Sequence, residues 1–304
     1  MEPPPPNFGV GFKVKQGGAT FNKYYVWLAI LNCAAGAALR PWTQFAALVI
    51  CDKSYFVGIR VTSNPESRPP VLETRSVLWS LREVFDYYEN LVDKGHPDFR
   101  ELGFVIFQDE RPPGVRMGVG SVVATPGPSG TKEQPGADML EDLKPRYDFS
   151  NDNATFDTAR LPAEVFAPAL EVERVDLQID FKQSGRPVCR DRDFYEVLLE
   201  AVIILGELDA EKPLGKGLSL YTEVDPPFTF QIGATSKGSA EEGDLIVNQT
   251  LLAIVQLATA MKEVPFDRRF NTFEAKIRLT STGRVIGRIN LFLGRAKEAV
   301  DVAA

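Results

Sequence analysis

The stretch Phe228–Ser236 reads FTFQIGATS and echoes Tyr55–Ser63, YFVGIRVTS. Ile59, Thr62 and Ser63 recur as Ile232, Thr235 and Ser236, 173 residues further on (232 − 59). Both stretches follow a long apolar helix pattern, a strand pattern and a short turn. Nearly the same spacing returns elsewhere: Tyr24, Val26 and Leu28 recur as Tyr195, Val197 and Leu199, and Phe99 as Phe270. In the closing strands, Val105 and Phe107 align with Ile277 and Leu279, and Val115 and Val119 with Val285 and Ile289. One echo is weak evidence, but their agreement in order implies an internal duplication. So long a period means two domain-sized copies, because solenoid repeats run about 20–50 residues.

Each copy spells out the same elements. In the first, Gly9–Lys15 alternates as a strand does, and Tyr24–Leu39 is a helix that Thr20 or Asn22 could cap and Pro41 ends. Phe45–Cys51, FAALVIC, is a continuous apolar run, the pattern of a strand covered on both faces. Tyr55–Thr62 returns after the turn Asp52-Lys53-Ser54. Val77–Val92 carries one apolar stripe at helical spacing, and Leu102–Gln108 and Val115–Val123 close the copy as a hairpin. The second copy repeats this with a strand at Val175–Phe181 and a helix at Phe194–Leu208 capped by Asp191 or Asp193. The strands Leu218–Val224 and Phe228–Thr235, a helix Asn248–Met261 and the hairpin strands Phe273–Leu279 and Arg284–Phe292 complete it.

The expected fold class is therefore α+β: two ferredoxin-like α/β sandwich domains, each βαββαβ plus one extra strand, with antiparallel sheets. The expected boundaries are a disordered Pro-rich tail 1–7, a first repeat 8–123, a Pro/Gly-rich linker and strap 124–170, a second repeat 171–294 and a tail 295–304. Helices cover one face of each sheet. The apolar runs of the first copy call for cover on the other face too, and the second copy's sheet is the favoured cover.

Composition narrows the function. The 304 residues are 44% hydrophobic and 25% charged, which fits a soluble globular chain of about two domains. A net charge of −7 disfavours nucleic acid as a partner. The RNA-binding aromatic pattern is also missing from Tyr55–Ser63 and Phe228–Ser236. Cys33, Cys51 and Cys189 form no CxxC pair, and His96 is the single histidine, so the common zinc sites are disfavoured. Few cysteines favour a cytoplasmic location, with a mature chain that has lost a signal peptide as the alternative. Tyr24–Leu39 is short for a membrane span, and its counterpart lies in mid-chain, so it reads as a buried helix.

Chemical motifs are sparse. His96 sits in a Pro-containing loop beside Asp98, which reads as turn geometry rather than a triad. Gly118–Gly120 and Gly215-Lys216-Gly217 lack the following helix that a phosphate loop requires. Asp176 with Asp180, and Glu241 with Glu242, are ordinary solvated carboxylates. Asn153 and Asn248 head glycosylation tripeptides at about the frequency chance supplies. The remaining candidates are basic: Arg60 and Arg116 on strands of the first copy, and Lys276, Arg278 and Arg288 near the last hairpin. In an acidic chain such residues suit a small anionic ligand or an acidic protein partner. The expectation is a non-catalytic binding or interaction protein without cofactor or metal. The alternative is an enzyme or small-ligand carrier with a pocket between the two sheets.

Overall fold

The computed structural model describes residues 2–44, 48–51, 57–64, 72–93, 99–108, 115–125, 176–215, 217–234, 245–264 and 270–295. The turn at 52–54, the loop holding His96, nearly all of the linker and strap, Glu241, Glu242 and Asn153 lie outside these residues.

The first unit comprises β1 (Phe8–Val14), β2 (Thr20–Phe21), α1 (Lys23–Ala38), β3 (Leu48–Cys51), β4 (Val57–Ser63), α2 (Thr74–Asp93), β5 (Phe99–Arg100), β6 (Leu102–Gln108) and β7 (Val115–Ala124). The second comprises β8 (Gln178–Pro187), α3 (Asp191–Gly206), β9 (Leu218–Thr222), β10 (Phe228–Ala234), α4 (Val247–Glu263), β11 (Asn271–Arg278) and β12 (Val285–Leu293). The fold is α+β, with four helices and three antiparallel sheets among the described residues. The short pair β2–β5 was not foreseen, and it takes Thr20 away from the helix start. Asn22 is the cap instead, its Oδ1 accepting from the Tyr24 amide at 3.0 Å. Asn22→Ala should cost about 0.5–2 kcal/mol, measured by urea unfolding. In α3 neither aspartate is the cap residue: Arg190 is, and Asp193 accepts from its amide.

The two large sheets run β1-β6-β7-β4-β3 and β8-β11-β12-β10-β9. Position for position this is one strand order, with helices inserted at the same two places. The order departs from ferredoxin-like wiring. In a ferredoxin-like sheet each helix crosses over a single intervening strand. Here α2 does so, joining β4 to β6 across β7, whereas α1 joins the two opposite edge strands β1 and β3. The added last strand is the cause. It pairs with its sequence neighbour as a hairpin, at small loop-closure cost, and takes the central slot, leaving the first strand at the edge.

Both hairpins carry a β-bulge at the same place. Ile106 faces Gly118 before the irregularity in the first, and Ile277 faces Gly287 in the second. Aligned on these bulges, Val61 corresponds to Ile232 and Ile59 to Phe230. The Phe228–Ser236 echo thus picks the right strands but is out of register by two, a slip that leaves side chains on the same face, whereas the hairpin pairs Val105–Ile277 and Val119–Ile289 are out by one and fall on opposite faces. The helices, aligned on their caps Asn22 and Arg190, match Trp27 with Tyr195 rather than Tyr24.

The units meet through their helices, α1 on α3 and α4 and α2 on α3, so the layers run sheet, helix pair, helix pair, sheet. The two sheets therefore do not face each other, contrary to the expected cover, and the space between them is filled. Every residue from Val26 to Ala38 is buried, because α1 packs on its own sheet, on α2 and on both helices of the other unit. That accounts for its lack of a polar face. α1 and α3 run parallel. The matched rings of Trp27 and Tyr195 lie 5.1 Å apart at one end, and the matched Ala38 and Gly206 touch at the other. The Pro-rich start, expected to be free, is held at Glu2. Its amide donates to Glu207 of the second unit, and its carboxylate takes Trp42 Nε1 and Arg75 of the first.

Candidate functional site

Sheet alternation sends Phe273, Ala275 and Ile277 inward to the helices and leaves Glu274, Lys276 and Arg278 on the outer face. On β12, Arg288, Asn290 and Phe292 share that outer face, whereas Ile286 is the extra residue of the bulge and is buried. Lys276, Arg278 and Arg288 are thus close together, but the face is laced with ion pairs. Arg278 Nε meets Asp180 at 2.6 Å and Arg288 meets Glu274 at 3.0 Å. Lys276 stands in register between Asp180 and Arg288. Asp176 also has a structural task. It accepts from the hydroxyls of Ser281 and Thr280 and from the Ser281 amide at 2.6 Å, bonds that hold its carboxyl below the usual aspartate value. Asn248 lies in the first turn of α4, its amide bonded to Ala210.

Arg60 and Arg116 occupy the outer face of the other sheet, on the opposite side of the molecule. The five predicted basic residues therefore form two groups, not one site. The first sheet's outer face differs in character from the second. Register places Val105 and Phe107 of β6, Val119 and Ser121 of β7 and Thr62 of β4 there, beside Arg60 and Arg116. At the head of β6, on the same alternation, the buried Glu101 is committed to Lys15 at 2.9 Å and to the Ala124 amide at 3.0 Å. Phe107 reaches over β1, its ring 2.5 Å from where a Cβ on Gly9 would stand, so a larger residue there would push the ring aside. Thr62, Val119 and Ser121 are buried, and Val105, Phe107, Arg60 and Arg116 are half-buried. Among the described residues the Arg116 Nε has no hydrogen-bond partner.

A second cluster, missed from sequence, lies at the seam between the units. Glu89 of α2 is buried, and its Oε1 accepts from Trp27 Nε1 at 2.8 Å. Its Oε2 stands 3.9 Å from Arg192 of α3. Lys23 pairs with Asp191 at 3.0 Å, and the Tyr24 hydroxyl donates to the same carboxylate. The signal was present: Glu89 stands four residues after Phe85, inside the apolar stripe of α2, where a solvated acid has no place.

Among the described residues no group of His, Cys, Asp or Glu could hold a metal ion. None of the described helices is long and apolar enough to cross a membrane. Cys33 and Cys189 are in the reduced thiol form, and burial pushes the Cys189 thiol well up. No protein-family model matches the chain, and no curated protein and no solved structure is similar to it.

Proposed function

We propose that the chain works by binding rather than catalysis, and that its partner is an acidic protein segment meeting the outer face of the first sheet. The observation that carries this is the character of that face. Val105 and Phe107 lie beside Arg60 and Arg116, neither of which pairs with a described carboxylate, in a chain whose net charge is −7. Aromatic and arginine side chains are the types enriched where proteins meet. On the outer face of the second sheet Arg278 and Arg288 are instead each ion-paired, with Asp180 and Glu274. The apolar faces of the helices are spent on each other and on the sheets.

We also infer that the two units arose by duplication, giving repeats at about 8–123 and 171–294. The shared strand order, equal helix placement and matched bulges support it.

Panning a random peptide display library on the immobilised full chain tests the binding reading. Selected peptides should combine acidic with apolar residues and weaken as salt is added. The double charge reversal Arg60→Glu with Arg116→Glu should lower their affinity by about tenfold or more, while Arg278→Glu with Arg288→Glu leaves it unchanged. Equal losses in both pairs, or selection of peptides without acidic residues, would overturn the reading.

A further inference from the structure

The Glu89 side chain is 5% exposed, yet each cation near it already serves another acid. Arg192 of α3 is shared with Asp93 at 3.1 Å and Glu196 at 3.8 Å. Lys23 of α1 is taken by Asp191 and lies 5.1 Å from the ring centroids of both Tyr24 and Trp27. Arg82, two turns earlier on α2, is held by Asp86 and Glu196. The cations Lys23, Arg82 and Arg192 thus face a larger number of carboxylates from α2 and α3. Trp27 contributes a neutral donor, which serves either form of the acid.

Burial is the largest influence on Glu89 and opposes its charge, as does Asp93; the Trp27 bond, Arg192 and Lys23 oppose burial without cancelling it. The carboxyl is accordingly held above the ordinary glutamate value of 4.5.

We propose that Glu89 is a proton-operated latch on the seam between the two units. Neutral, it lets α1 and α2 close on the start of α3. Ionised, it is a buried charge with only part of one arginine, and it is relieved when that end of the seam opens to water. Because the folded carboxyl titrates higher than the unfolded one, the latch contributes in full below about 4.5 and is lost as pH rises through the raised value. On the opposite flank of the seam, Lys262 of α4 lies 4.8 Å from the Tyr25 ring centroid of α1.

Amide exchange of the full chain, corrected for its intrinsic pH dependence, is the test. Between about pH 4 and about pH 8, protection at the start of α1 and of α3 should fall by about tenfold in the native sequence. In Glu89→Gln it should stay at the low-pH level throughout. The same pH profile in both proteins would overturn the latch. Infrared spectroscopy of the native chain gives a reading even if that variant fails to fold. A protonated carboxyl band should persist at pH values where exposed glutamates have ionised. A spectrum without that band would place the charge on Glu89 already and overturn the proposal equally.

Discussion

Replacing Leu28 with alanine should lower the unfolding free energy by about 2–5 kcal/mol, the usual cost of a large cavity in a close-packed core. Leu28 is 1% exposed and sits on the helix that touches both sheet-facing and seam-facing neighbours. A helix at a protein surface can relax toward a cavity from one side. α1 has packed partners all round, so collapse is resisted and the loss should fall in the upper part of that range. Urea unfolding of both proteins measures it. A loss below about half a kcal/mol, the range of ordinary surface substitutions, would show that α1 is not the centre of the core.

Gly118→Ala should be the second large effect, destabilising by about 1–3 kcal/mol through overpacking. The added Cβ would stand 2.6 Å from the backbone oxygen of Thr62 and 3.0 Å from Leu72. A backbone atom cannot step aside as a side-chain end can. The bulge partner in the second unit provides an internal comparison. A Cβ on Gly287 would meet Leu245 at 2.9 Å and the Gly233 oxygen at 3.1 Å. Gly287→Ala should therefore cost less, since its closest contact is a side-chain methyl. Unfolding midpoints of the two variants decide the order. If Gly118→Ala proves neutral, the tight approach of β4 to β7 at this bulge is not maintained in solution.

These two sites also show where the amino-acid sequence is informative. The helices and most strands were legible, because periods of 3.6 and 2 record which side chains are buried. The apolar run Tyr24–Leu39 was rightly separated from a membrane span by its length and by its mid-chain counterpart. The internal repetition was legible too, but only to the level of elements. Its register was not, since a slip of two residues along a strand keeps hydrophobic side chains on the same face. The bulges at Gly118 and Gly287 correct it, and they exist only as pairings between strands.

The site was less legible than the fold. Composition pointed to Arg60, Arg116, Lys276, Arg278 and Arg288, but a basic residue in a sequence says nothing of its partners. Pairing with Asp180 and Glu274 neutralises Arg278 and Arg288, and separation onto opposite outer faces divides the set. Glu89 was the acid worth singling out, for its position within an apolar stripe. Its indole and guanidinium partners come from helices distant along the chain.

By itself, then, the sequence determined the elements, their order and the repetition, all of which depend on local periodicity and turn chemistry. Tertiary structure decided which strand occupies the centre of each sheet, that helices rather than sheets form the seam, and that a glutamate is sealed within it. Those outcomes depend on contacts between residues far apart in the chain. Their stability comes from surfaces that exist only after the elements have formed and met.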